Sequence, residues 1–239
     1  MLSSGNCIEL KTIEGTSFLE LSVNLKKESV NKFNSEAIAE LKTALEALQK
    51  NLSGVTGMLV TSGKETFLAG ADITEFLAEF KRSEKELAEW ISINQKQFNK
   101  IEDLGIPTVC LISGFALGGG LEFALTCDYR IATPGTKIGL PETKLGIIPG
   151  WGGTVRLPRL IGTDPAIEWI ASGNQYDAND ALKLGTIDAI VAPADLRAAG
   201  LDLLAQCVAG KLQWKARKEQ KKQKLPLNAT EKTMAFTII

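Results

Sequence analysis

The chain has 239 residues, is 44% hydrophobic and 23% charged, and carries a formal net charge of −1, a composition suited to a globular protein with one sizeable core. It contains no histidine, which excludes Ser-His-Asp and Cys-His nucleophilic machinery and imidazole metal sites. The four cysteines, Cys7, Cys110, Cys127 and Cys207, stand singly without C-x-x-C spacing and read as small apolar residues in a reducing compartment, with neither metal site nor disulfide expected.

In chain order, residues 8–24 alternate apolar and polar around Glu14-Gly15-Thr16, a strand–turn–strand pattern. Ser35 to Lys50 is expected to be a helix: Ile38, Leu41, Leu45 and Leu48 make one apolar stripe, with Asn34 or Ser35 as cap. Val55–Thr61 reads as a buried strand, 74–80 and 84–103 as helices, and Pro107–Ile112 as another strand. A glycine run then opens a helix over Gly119–Cys127, and Tyr129–Ala132 returns to strand. Beyond Gly153 helices dominate, at about 154–161, 165–172, 178–184 and 194–209, with a small strand near Ile187–Val191. Strand–helix alternation of this kind predicts an α/β sheet with crossover helices.

The N-terminus has no apolar signal-like region and no stretch is long enough to span a bilayer, so a cytoplasmic location without membrane insertion is expected. Lys211–Lys224 concentrates seven Lys/Arg against one Glu and reads as a linker or an exposed, solvated helix. Nucleic-acid binding generally shows as a basic domain, and a short basic tail does not predict it. The apolar end Ala235–Ile239 is read as an abrupt stop, that of a fragment of a longer chain.

Two acids sit beside backbone stripped of side chains: Glu122 after Gly118-Gly119-Gly120, and Glu142 between Pro141 and the loop Gly146–Gly153. A helix starting at those glycines would offer free N–H groups to a negatively charging oxygen, with Glu122 on the same face as Gly119. Equally, the glycines could serve only close packing, with Glu122 solvated. The segment Ala69–Thr74 ends a strand in small residues, so a following helix could add a second donor, or Asp72 or Thr74 could simply be a helix cap. Pro141 and Pro149 stiffen the Glu142 segment; a carboxyl held by it in an apolar cleft would have a raised pKa, although a Glu after Pro is by itself commonly a surface residue. The dinucleotide fingerprint fails at Phe123, and no phosphate-binding G-x-x-x-x-G-K-[ST] occurs.

Taken together, Ala69-Gly70-Ala71-Asp72-Ile73-Thr74-Glu75-Phe76, Gly114–Glu122 and Leu140–Gly150 resemble the enoyl-CoA hydratase, or crotonase, superfamily, over residues 8 to 210. Ser29–Phe33, Gly70–Phe76 and Gly139–Ile147 are similar to the N-terminal hydratase domain of bacterial multifunctional fatty-acid oxidation α-subunits. The resemblance implies a crotonase-like α/β fold of repeated ββα units in a spiral sheet, with a core over 1–191 and a C-terminal helical region with basic linker over 192–239. It implies Ala71 and Gly119 as backbone donors to a thioester oxygen, and Glu122 and Glu142 as the acid/base pair. It also implies Gly70, Asp72, Ile73, Gly118, Pro141, Pro149 and Trp151 as substrate contacts, with core packing an equal account of Trp151. Expected activities are hydration of trans-2-enoyl-CoA and isomerisation of 3-enoyl-CoA, with no metal and no cofactor other than the coenzyme A within the substrate. A homo-oligomer, or in a full-length chain a complex with a thiolase subunit, is implied as partner. Ahead of Ser29, where many relatives have proline, the chain has Lys26-Lys27-Glu28, either a contact for CoA phosphates or a solvated loop. A contrasting expectation is a weakly active or non-catalytic binding protein whose basic tail contacts RNA or a partner subunit.

Overall fold

The computed structural model of the chain describes residues 1–225, so the apolar end Ala235–Ile239 lies outside the described residues. Strands β1 (Ser3–Ser4), β2 (Ile8–Thr12) and β3 (Phe18–Val23) form an antiparallel meander, Leu10 opposite Leu21. Helix α1 (Ser35–Lys50) follows, capped by Asn34, whose side chain accepts the Ala37 N–H at 2.8 Å. Its buried face comprises Ala37, Leu41, Ala44, Leu45 and Leu48, with Ile38 half-buried at the edge. Glu40 on α1 accepts the amides of Asn6, Cys7 and Ile8 and so ties the helix to the first strands.

From β3 the sheet becomes parallel through β4 (Gly57–Ser62) and, after α2 (Ile73–Glu79) and α3 (Glu84–Glu102), through β5 (Thr108–Ile112). Next come β6 (Phe115–Leu117), α4 (Gly119–Ala124), β7 (Tyr129–Ala132), β8 (Lys137–Gly139) and a 3₁₀ turn at Pro141–Leu145. The chain continues through α5 (Gly153–Ile161), α6 (Thr163–Ser172), β9 (Gln175–Asp177), α7 (Ala178–Leu184), β10 (Ala189–Ile190), α8 (Leu196–Val208) and α9 (Trp214–Lys222). The large sheet runs β1-β2-β3-β4-β5-β7-β10, and β6-β8-β9 form a second, small sheet. An isolated bridge joins Leu68 to Ala116 of β6, and another joins Phe33 to Ala71. Each repeat therefore places one strand in the large sheet, a short one in the small layer and then a helix, the expected ββα arrangement.

Alternation along the central strands builds two cores. Leu59, Val109, Leu111, Tyr129 and Ile131 pack with Leu204 and Cys207 of α8 on one face. Met58, Val60, Cys110, Ile112 and Ala132 face the main core with α1, α3 and α4. Helix α8 approaches closely at Gly200, where a Cβ would stand 2.7 Å from Leu111 Cδ2 and 3.1 Å from Leu59 Cδ2.

Three sequence expectations are corrected. The small sheet is missed because its strands are each three residues long and embedded in short connections. Helix α4 stops at Ala124, short of Cys127, since the chain must turn there for the Asp128 amide to join the Thr108 carbonyl at 3.0 Å. The basic segment is not a solvated run: α9 buries Lys218 and Lys221, while Arg217 pairs with Asp188 and lies over the Tyr129 ring. No helix among the described residues is long and apolar enough to cross a membrane.

Candidate active site

The three glycines ahead of Glu122 have three separate reasons. Gly118, at φ +51 and ψ −127, turns the chain from β6 into α4 in a conformation that a side chain would strain. A Cβ there would also sit 3.1 Å from Glu142 Oε1, so the carboxyl rests directly against this backbone. A Cβ on Gly119 would stand 2.7 Å from the Trp151 ring and 3.6 Å from the Ala71 nitrogen. One on Gly120 would collide with the Leu68 carbonyl oxygen. The run thus lets the first turn of α4 press against Leu68, Ala71, Glu142 and Trp151 at once.

Ala71 follows Gly70, at φ +109, on the bridge to Phe33, in which Gly70 and Phe33 carry the hydrogen bonds. The Phe33 amide donates to Gly70 O at 2.8 Å and the Asp72 amide to Phe33 O at 2.8 Å, so the Ala71 amide is skipped. Gly119 is the first residue of α4, where no intrahelical acceptor exists. Among the described residues neither amide has an acceptor, and both residues line one cavity of about 580 Å³.

Both acids open into that cavity. Glu122 is buried, its Oε1 accepting from the Trp151 amide at 2.8 Å and the Gly153 amide at 2.7 Å. Burial pushes its carboxyl up to about 7, against the opposing hydrogen bonds from Gly153 and Trp151 and the charge of Arg156. Glu142, on the 3₁₀ turn after Pro141, is 8% exposed, and its Oε2 has no hydrogen-bond partner among the described residues. Burial first, then the charge of Glu122, lifts it to about 8. Two carboxyls whose environments place them near neutrality, beside two free amides, can move protons while dipoles hold an oxyanion.

The structure brings together Gly70, Ala71, Ile73, Gly118, Gly119, Glu122, Pro141, Glu142, Pro149 and Trp151 around the cavity. Asp72 is the exception: it borders a neighbouring cavity that shares Ala71 and Trp151 with this one. Its carboxylate caps α2, accepting the Thr74 amide at 3.0 Å and hydroxyl at 2.7 Å, and pairs with Lys32 at 2.9 Å, outside the cavity lining. Trp151 packs edge-on against Phe33 and Phe98 and also borders the cavity. Lys26 is tied to Gly5 O at 2.8 Å and to Glu9 at 3.5 Å. Sequence reasoning missed the Trp151 and Gly153 amides that hold Glu122, and the residues that hold that loop. Gln95 donates to Gly150 O at 2.7 Å, and buried Arg156 donates to Trp151 O at 2.9 Å while pairing with Glu102. The apolar wall from Phe76, Trp90, Leu145 and Ile148 was also not anticipated.

With this geometry in view, comparison with known proteins is informative. A family model described as enoyl-CoA hydratase/isomerase matches residues 21–238. The chain belongs to the enoyl-CoA hydratase/isomerase family. Fatty acid oxidation complex subunit alpha of Pseudomonas aeruginosa (strain LESB58) is 52% identical over 236 residues, 99% of this chain and 33% of that protein. The corresponding subunit of Pseudomonas putida (strain GB-1) is 52% identical with the same coverage. The chain thus spans about a third of the length of the curated relatives it matches. A crystal structure of enoyl-CoA hydratase from Bacillus anthracis superposes with a TM-score of 0.77 at 29% identity, covering 98% of this chain and 90% of the other. An enoyl-CoA hydratase subunit from Geobacillus kaustophilus HTA426 gives 0.78 at 28% identity, covering 97% and 89%. Members of the enoyl-CoA hydratase/isomerase family are enzymes, and the crotonase fold expected from the sequence is the fold observed.

Proposed function

We propose that the chain is an enoyl-CoA hydratase that adds water across the C2=C3 bond of trans-2-enoyl-CoA, with 3-enoyl- to 2-enoyl-CoA isomerisation as a second activity of the same pocket. The observation that carries this reading is two amides, Ala71 and Gly119, without an acceptor among the described residues, next to two buried carboxyls of raised pKa. The thioester carbonyl oxygen accepts both N–H groups. As negative charge develops on it, these fixed dipoles stabilise the enolate without reorganising; removing one such donor typically costs about 3 kcal/mol of transition-state stabilisation.

Glu122 has the lower pKa and its Oε1 is held by two amides, so its ionised form is favoured as the base. It takes one proton from water as the oxygen bonds to C3. Glu142, protonated near neutral pH, gives its proton to C2 as the enolate collapses. Hydration thus leaves the proton on Glu122 and the charge on Glu142, and exchange between the coupled acids and solvent restores the starting state. In the isomerase direction, ionised Glu142 removes a C2 proton and the same enolate is reprotonated at C4. No metal or dissociable cofactor enters either route; coenzyme A is part of the substrate. From its relatives we further infer that the chain belongs to a longer fatty-acid oxidation α-subunit, working with a thiolase or as a homo-oligomer.

The test is direct. Incubation with crotonyl-CoA should bleach the conjugated-thioester absorbance, and Glu122→Gln or Glu142→Gln should lower that rate by ~10² or more with the fold intact by circular dichroism. Near-normal turnover in both variants would refute the assignment of the acids.

A further inference from the structure

Resting on the reading that Gly119 and Glu122 serve one thioester, we propose that Lys221 of α9 is a positioning residue for the reaction, holding the far end of α4 and, through Glu102, the loop that binds Glu122. Two chains of contacts meet at its ammonium. Its Nζ lies 3.4, 2.9 and 3.0 Å from the carbonyl oxygens of Leu125, Thr126 and Cys127, which leave the C-terminal end of α4. Helix α4 has six residues, so that end is only about 9 Å from the amide-bearing first turn.

The second chain runs along the other side of the site. Lys221 is 3.5 Å from Glu102 Oε1, and Glu102 Oε2 pairs with Arg156 Nε at 2.9 Å. Arg156 then donates to the Trp151 carbonyl at 2.9 Å, and the Trp151 amide donates to Glu122 at 2.8 Å. Lys221 thereby touches both the turn that ends the helix carrying Gly119 and Glu122 and, through Glu102 and Arg156, the loop that orients the Glu122 carboxylate. Lys218, one turn earlier, anchors α9 beneath them on Asp128 at 3.0 Å and on the Glu102 carbonyl at 3.1 Å.

Packing alone would not select this residue. Burying an ammonium is costly unless every proton finds an acceptor, and an apolar side chain would fill the same space with less penalty. A cation just past the C-terminal end of a helix instead gathers the carbonyls of the turn and complements the dipole, which fixes direction as well as position; Lys221 shares the Cys127 carbonyl with Arg130, whose Nη1 donates to it at 2.7 Å. Burial draws the Lys221 pKa down to about 8, with Glu102 and Asp128 opposing that shift, so its partners hold the charge only against a strong pull.

The experiment uses the 239-residue chain with Lys221→Met, Lys221→Gln and, as control, Lys222→Met; Lys222 pairs with exposed Asp103 at 2.9 Å. For Lys221→Met, kcat for crotonyl-CoA hydration should fall ~10-fold or more while KM and affinity for saturated butyryl-CoA stay within about twofold. Acetoacetyl-CoA, a thioester that ionises readily, should show a smaller enolate band when bound to Lys221→Met than to wild type. Amide hydrogen exchange should quicken at residues 119–127 and 151–153 but not in β4, and Lys221→Gln should recover part of each effect. Lys222→Met should behave as wild type. Wild-type kcat in Lys221→Met, or an equal loss of butyryl-CoA affinity and turnover, would overturn the proposal. If Lys221→Met does not fold, the same readouts on Lys221→Gln decide. If the wild type neither hydrates crotonyl-CoA nor enolises acetoacetyl-CoA, the proposed function is what fails, and exchange at 119–127 still decides for or against Lys221.

Discussion

Glu122 and Glu142 differ less in chemistry than in what their oxygens touch. Glu122 Oε1 has two amide donors, whereas Glu142 Oε2 has none among the described residues. Burial lifts their pKa values to about 7 and about 8, and the proposed hydration sets opposite requirements: Glu122 must have lost its proton and Glu142 must keep one. The pH profile of kcat/KM should therefore be a narrow bell, its acidic limb near 7 and its alkaline limb near 8. In Glu142→Gln the alkaline limb should disappear from the residual rate, and its persistence would reassign that limb. At Gly119, the methyl of Gly119→Ala would meet the Trp151 ring at 2.7 Å and displace the amide beside it. The expected result is at least ~10²-fold lower kcat, measured on crotonyl-CoA, with the thermal midpoint changed by only a few degrees. Both acids could be singled out because each stands beside glycine-rich backbone, whereas Ala71 and Gly119 as donors followed from the family resemblance, the glycine run alone being equally open to a packing role. The Trp151 and Gly153 amides were not legible, since any residue supplies an N–H and only the fold says which ones face a carboxylate. For Asp72 the sequence offered both a helix cap and a ligand contact, and the cap is the role seen in the fold.

At the level of elements, what could be read from the pattern was what has a long period. Helix α1 and strands β3, β4 and β5 fall within one or two residues of their expected bounds, because their apolar stripes and runs admit one reading. Strands β6, β8 and β9, each three residues long, carry no such signal and exist because the larger sheet places them side by side. Helix α9 shows the reverse failure. Its lysines read as solvated by residue type, yet two of them point inward to carbonyls and carboxylates that could be seen only after folding. The junction of α8 with the sheet allows a stability test. Gly200→Val would force side chain into the contact with Leu59 and Leu111 and should cost roughly 1–3 kcal/mol by overpacking. Urea denaturation with an unchanged m-value would register it; an equal or higher midpoint would show that α8 can move away without cost.

For the molecule as a whole, the candidate site is a place where stability is given up. A carboxyl whose pKa rises on folding favours the native state only while it stays protonated. Relative to an ordinary value of 4.5, Glu122 and Glu142 add no penalty in acid, and stability falls as pH climbs from about 4.5 through 7 and 8, where the native groups must ionise. Glu142→Gln should therefore be more stable than wild type at pH 8.5, by roughly 2–4 kcal/mol, and nearly equal to it at pH 4.5. Equilibrium unfolding at the two pH values measures this, and equal stability at pH 8.5 would mean that Glu142 is solvated in the native state. The trade is the familiar one in which poised groups weaken the fold that carries them.

The loop from Gly150 to Gly153 has two employments, as wall of the cavity through the Trp151 ring and as hydrogen-bond donor to Glu122 through its amides. On the proposed function, an acyl tail that presses on the indole also pulls on the hydrogen bonds that hold Glu122. A homologous series of enoyl thioesters should therefore shift the acidic limb of the kcat profile as the tail lengthens.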